Sequence, residues 1–238
     1  MSEPDRTETV AVTDGHFDLH VWLPERGTGP GILLVQEIFG VGAYIKAVAA
    51  RLARAGYVVG APDLFWRIEP GWAVDHDDEG LAAAFEMAQR FDAETGVADA
   101  VAALDDLRSL AEVRGTCGVV GFCLGGTIAH LVAAGADPDA VVSYYGSGVA
   151  DSLDRLAEIT CPALYHFGGD DAFIPAADVD RVVAAVAADG RDTVRVEVQP
   201  GAGHAFDNHE APAFHDANAA AAAWAVTITF LAQHLPSS

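Results

Sequence analysis

Short apolar runs, bounded by glycine, proline or turn residues and separated by helix-like stretches, recur along most of the chain. They fall at residues 31–35 (GILLV), 57–61, 117–121, 140–145, 163–167 and 194–198. Runs that are apolar throughout, rather than alternating, suit strands buried on both faces, and helices must then cover those faces. Helical patterns fill the intervals at 43–55, 79–90, 97–110, 125–134, 151–158 and 176–188, with a closing helix over about 215–234. Residues 10–12 and 17–23 flank Thr13-Asp14-Gly15 and read as an antiparallel hairpin. The predicted class is α/β, with a mostly parallel central sheet and helices on both faces. In such sheets the reactive residues sit on loops beyond the carboxyl ends of the strands.

The 238 residues suit a single domain, 1–238, and a composition that is 51% hydrophobic gives it ample core. No apolar run approaches a membrane span, and the polar, acidic start MSEPDR lacks the pattern of a signal peptide, so a cytoplasmic location is expected. The formal net charge is −22, with one lysine, Lys46. Such a chain repels nucleic acid and anionic membranes, so neither is expected as a partner. The same imbalance fits adaptation to high salt, and fits equally an ordinary acidic, alanine-rich protein. Cys117, Cys123 and Cys161 are odd in number and lack C-x-x-C spacing, which argues against a disulfide framework and a structural zinc site. Cys117 and Cys161 lie in apolar surroundings and read as core.

Cys123 reads differently. The run Gly118-Val119-Val120 leads into Gly121-Phe122-Cys123-Leu124-Gly125-Gly126, with a helix following. This is the G-x-S-x-G nucleophile elbow with cysteine for serine. The turn strains the backbone of the nucleophile, and side chains at 121 or 125 would collide with neighbouring elements. The helix N-terminus after the thiol favours the thiolate. A phosphate-binding loop is excluded by spacing, which lacks Lys-Ser/Thr and does not match G-x-G-x-x-G. Two later loops supply partners. The strand at 163–167 ends in Gly168-Gly169-Asp170-Asp171-Ala172-Phe173-Ile174-Pro175, where either aspartate is placed to orient a histidine. The strand at 194–198 is followed by Pro200-Gly201-Ala202-Gly203-His204-Ala205-Phe206. His16, His20, His209, His215 and His234 fall at predicted surface or terminal positions, and His130 and His166 lie inside a helix and a strand. His204 alone sits in a glycine loop after a late strand. The order nucleophile, acid, histidine is that of the α/β-hydrolase fold.

Taken together these residues make the chain resemble the dienelactone hydrolase family, of carboxymethylenebutenolidase type, over almost its whole length. The resemblance rests on Gln36-Glu37-Ile38-Phe39-Gly40, Ala61-Pro62-Asp63-Leu64-Phe65, the elbow, Tyr144-Tyr145-Gly146, residues 168–175 and Gly203-His204-Ala205-Phe206. It implies an α/β-hydrolase fold with Cys123 as nucleophile, His204 as base and Asp171, rather than Asp170, as orienting acid. It implies that Glu37 contacts the resting thiol and moves when substrate binds, and that the backbone N–H groups of Ile38 and Leu124 form the oxyanion hole. The implied reaction is hydrolysis of a small ester or lactone through a thioester, with no cofactor and no metal. Phe39, Trp66, Phe85, Tyr145, Phe173 and Phe206 are candidate pocket walls. A monomer or weak homo-oligomer is expected.

One departure bears on substrate. Family members that act on dienelactone are similar in clamping its carboxylate with two arginines. The corresponding positions here fall in the helix around Leu81–Phe85, which has no arginine before Arg90, and at Asn208. Two other readings use the same residues or none of them: a broader carboxylesterase or thioesterase, and a non-catalytic binding protein on this fold. A redox-sensing role for Cys123 lacks an evident resolving cysteine.

Overall fold

The structure is a computed structural model and describes residues 3–236. A hairpin of β1 (Arg6–Val12) and β2 (Gly15–Trp22) precedes β3 (Gly29–Val35), α1 (Ala43–Arg54) and β4 (Val58–Pro62). Two helices follow, α2 (Asp78–Arg90) and α3 (Ala93–Ser109), and then β5 (Val113–Phe122), α4 (Leu124–Ala136) and β6 (Val141–Tyr144). The chain closes with β7 (Ala163–Gly168), α5 (Ala176–Asp189), β8 (Val194–Gln199) and α6 (Ala217–His234). The stretch expected as a helix at 151–158 instead forms two short 3-10 turns, Val149–Asp151 and Leu153–Glu158. Short, tight turns of this kind serve as connectors where there is no room for a full helix.

All eight strands lie in one sheet, in the order β1-β2-β4-β3-β5-β6-β7-β8. The β1–β2 and β2–β4 pairs are antiparallel, and every other pair is parallel. Burial follows that arrangement. Strands β3, β4, β6 and β7 are buried at every residue, whereas the edge strand β1 buries only Val10. Arg51 of α1 stacks on Trp224 of α6, while α3 packs against α4. Aspartates open three helices: Asp77, Asp92 and Asp216 each accept a backbone N–H from the first turn. No helix among the described residues is long and apolar enough to cross a membrane.

The register aligns the strand ends. Val35 pairs with Gly121, Phe122 with Tyr144, Tyr144 with His166, and Gly168 with Gln199. The carboxyl ends of β3, β5, β6, β7 and β8 therefore reach one rim, and their loops emerge side by side.

Candidate active site

The first residue beyond β5 is Cys123, with φ 53° and ψ −115°. A non-glycine residue in that region carries strain of about 1–3 kcal/mol, so surrounding bonds must hold it there. Its N–H donates to the Tyr144 carbonyl at 3.0 Å, and its carbonyl accepts from Gly126 and Thr127 at 2.9 and 3.2 Å. Glycine is required on both sides. A Cβ at Gly121 would lie 1.9 Å from the Gly125 oxygen, and one at Gly125 would lie 2.3 Å from the Val35 oxygen.

The thiol faces two further strand-end loops. His204 Nε2 is 3.2 Å from Cys123 Sγ, and His204 Nδ1 is 2.8 Å from Asp171 Oδ2. The other Asp171 oxygen accepts the N–H groups of Phe173 and Ile174 at 2.8 and 3.0 Å. Asp170 is exposed, and its N–H donates to the Ala202 carbonyl at 2.9 Å, tying the acid loop to the histidine loop. Burial pulls the His204 imidazole toward its neutral form. Its bonds to Asp171 and Cys123 outweigh that and push it up to about 10. The arrangement favours the imidazolium form of His204. Burial has the opposite consequence for the other thiols, raising Cys117 to about 12 and Cys161 to about 11.

Above the thiol lies a cavity of about 630 Å3. Ile38 and Leu124 line it, and among the described residues neither backbone N–H has an acceptor. Leu124 stands at the first turn of α4, where no preceding helical carbonyl is available. Phe39, Phe85 and Phe173 are on the cavity wall; Phe85 and Phe173 remain 41% and 47% exposed, marking its mouth. Tyr145 and Phe206 correct the expectation. Both are fully buried behind His204, with Tyr145 5.1 Å from the imidazole and Phe206 5.2 Å from Tyr145, ring centre to ring centre. They support the histidine and do not face the cavity. Trp66 is also elsewhere, stacked on Phe17 and donating to Asp99.

Glu37 departs from expectation too. Its carboxylate is held by His76 Nε2 and by Asn208 Nδ2, the latter at 3.3 and 3.4 Å, while the thiol is engaged by His204. His76 was not singled out by sequence reasoning. It stands in the irregular segment after β4, where no strand end, glycine loop or periodicity marks it. The cavity's titratable groups are Glu37, Asp77, Asp78, Cys123 and the two histidines; among the described residues no lysine or arginine lines it. Leu81 and Asn208, the two positions at issue for an arginine clamp, both do. Arg67 pairs with Asp14 and Asp99 and stacks on Trp66, which commits it elsewhere. No group of three or more His, Cys, Asp or Glu side chains among the described residues is placed to hold a metal.

A mostly parallel eight-stranded sheet with a G-x-C-x-G strand-to-helix turn, followed in order by an aspartate loop and a histidine loop, has the α/β-hydrolase fold. The family model for the dienelactone hydrolase family matches residues 17–235, and the chain belongs to that family. It is a hydrolase acting on ester or lactone bonds. The chain is 38% identical over 204 residues to carboxymethylenebutenolidase of Pseudomonas putida, covering 84% of this chain and 86% of that protein. It is 35% identical over 226 residues to a putative carboxymethylenebutenolidase of Azospirillum brasilense, covering 93% and 95%. The solved structure of a putative dienelactone hydrolase from Klebsiella pneumoniae superposes with a TM-score of 0.80 at 25% identity, covering 96% of this chain and 98% of that one.

Proposed function

We propose that the protein hydrolyses uncharged, largely apolar esters or lactones by a cysteine nucleophile. The observation that carries the proposal is the unbroken hydrogen-bonded chain from Asp171 through His204 to the strained Cys123 at the base of the cavity. The Cys123 thiolate attacks the substrate carbonyl, and the oxyanion forms between the N–H groups of Ile38 and Leu124. The carbon–oxygen bond of the ester then breaks, and the departing alkoxide takes its proton from the His204 imidazolium. Water, deprotonated by His204, adds to the resulting thioester. Loss of the thiolate from this second intermediate releases the carboxylic acid product and restores the starting pair. Asp171 keeps the Nδ1 proton on the side away from the thiol, so that Nε2 is the atom exchanging protons.

Substrate class is read from the walls. Leu81, Phe85 and Ala88 of α2 line the cavity together with Ala211, Pro212 and Phe214. That lining suits an apolar acyl or alcohol group, and the carboxylates at the other end disfavour an anion. The names of the relatives point to a carboxylate-bearing lactone for those proteins; the cationic groups needed to hold such a carboxylate are not on this chain's cavity wall. Turnover of a small aryl ester tests the mechanism. Cys123→Ala should remove nearly all of it in a protein that still folds, and His204→Ala most of it. Wild-type turnover in Cys123→Ala would overturn the proposal.

A further inference from the structure

The cavity holds a second histidine–carboxylate pair that the reaction scheme leaves unused. His76 has a side chain only 4% exposed, and its Nε2 contacts Glu37 Oε1. Its ring lies against Phe39, with centres 4.1 Å apart, and Tyr44 meets its edge at 6.4 Å. Asn208 completes the cluster. Its Oδ1 accepts the Glu210 N–H at 2.9 Å, which fixes the amide and turns Nδ2 toward Glu37. With Glu37 as the ionised acceptor, His76 presents Nε2–H to it, while Asn208 Nδ2, 2.9 Å from the same ring nitrogen, directs its N–H groups to the Glu37 oxygens at 3.3 and 3.4 Å.

Position makes this pair consequential. Val35 and Gly121 are opposed in adjacent parallel strands, and Glu37 and Cys123 each follow two residues later. The Gln36 carbonyl also approaches to 2.5 Å of a Cβ placed at Gly125, so the Glu37 loop abuts the elbow. A free carboxylate there would accept the S–H of Cys123 or repel its thiolate. Either event opposes the ion pair that His204 is arranged to support. Of the other acidic groups nearby, Asp77 is committed to the Gly80 N–H as a helix cap, and Asp78 lies at the cavity wall on the first turn of α2.

We infer that His76 is a positioning residue that clamps Glu37, so that the nucleophile stands ready in the free enzyme before substrate arrives. The inference rests on Cys123 being the nucleophile. Its test is the rate at which iodoacetamide, a small neutral reagent, alkylates Cys123 at fixed neutral pH with no substrate present. His76→Ala should slow alkylation roughly tenfold or more, the scale expected when one carboxylate is freed beside a thiolate. kcat for a neutral aryl ester should fall with it, with KM little changed. His76→Phe, which fills the space without a donor, carries the same expectation should the alanine variant fail to fold. His76→Gln retains an N–H donor and should stay within about threefold of wild type. Removing the carboxylate as well, in His76→Ala/Glu37→Gln, should restore most of the alkylation rate, a rescue that a purely structural role would not give. Wild-type alkylation in both donor-free variants, or a double variant as slow as the single one, would overturn the clamp. Turnover that survives Cys123→Ala would instead remove the mechanism on which the clamp depends.

Discussion

Asp171→Asn isolates the orienting acid with almost no change of shape, and the structure fixes which way the new amide must face. One carboxylate oxygen accepts two backbone N–H groups, from Phe173 at 2.8 Å and Ile174 at 3.0 Å. Turning the asparagine NH2 toward them would leave buried donors facing donors, at about 1–3 kcal/mol for each unsatisfied group. The amide oxygen therefore takes that place, and NH2 falls opposite His204 Nδ1, where the carboxylate stood at 2.8 Å. Nδ1 must then accept. A neutral imidazole in that tautomer carries its proton on Nε2, which faces Cys123 Sγ at 3.2 Å and can no longer take the thiol proton. The charge-assisted bond that helps raise His204 is lost as well, a term of about 1.5–3 kcal/mol. Together the two effects should lower kcat/KM for a small aryl ester by roughly two to four orders of magnitude. The second N–H of the new amide is buried with no partner beyond His204 among the described residues, so unfolding free energy should fall by about 1–3 kcal/mol, far less than the loss of activity would require if it came from unfolding. Steady-state kinetics beside a denaturant titration separates the two quantities. Activity within about threefold of wild type would refute the assignment of Asp171 as the group that sets the tautomer.

Iodoacetamide should label Cys123 ahead of Cys117 and Cys161, whose thiols burial pushes up to about 12 and 11; peptide mapping that finds Cys117 modified first would contradict this. Because His204 is raised in the folded state to about 10 from an ordinary 6.5, its contribution to stability is complete below about 6.5 and is lost as pH rises through about 10. The melting temperature should fall across that window, and the fall should begin at lower pH in Cys123→Ala, which lacks one of the groups holding the proton. With a net charge of −22, thermal stability should rise from low salt to about molar, where the Debye length is roughly 3 Å; a flat profile would remove the self-repulsion argument. A neutral lactone should be preferred over a carboxylate-bearing analogue by roughly two to four orders of magnitude in kcat/KM, the value of two missing charge-assisted bonds. A preference for the anion would show that a cation reaches the cavity after all.

The parts of this molecule legible in the sequence are those dictated by short-range geometry. Apolar runs announced β3, β6 and β7 because strands buried on both faces admit nothing else. Gly121 and Gly125 announced the elbow because any side chain there would occupy backbone atoms of a neighbouring element. Long-range packing left no such mark. Tyr145 and Phe206 are aromatic and adjacent to site loops, yet nothing local says that they turn inward; Tyr145 does so from a backbone with φ 38°, its hydroxyl meeting that of Tyr44 at 3.2 Å. His76 was invisible for the same reason. An isolated bridge between Gly40 and Ala73 and a bond from Val74 N–H to the Phe39 carbonyl lay its segment along the Glu37 loop, and neither contact has a sequence signature.

This division has a chemical counterpart. Cys123, Asp171 and His204 hang from the rim of a rigid parallel sheet, and backbone bonds from Tyr144, Gly126, Phe173 and Ile174 fix their frames. A displacement of one of these groups would break bonds inside the core, so the reaction proposed for them is the least free to change. The cavity wall is built differently. His76, Asp77, Asn208 and residues 211–214 lie in irregular segments, and Leu81, Phe85 and Ala88 occupy one side of a helix whose register the sheet does not set. Away from the His76–Glu37 contact, substituting there alters what fits without disturbing the elbow. Asn208 illustrates the freedom: with its oxygen fixed by the Glu210 N–H, its nitrogen serves Glu37, and an arginine in its place would bring a cation to the same carboxylate and to the cavity. On the proposed mechanism, charge preference can thus be reset by a few wall residues, while hydrolysis depends on strand ends that the whole core holds in place.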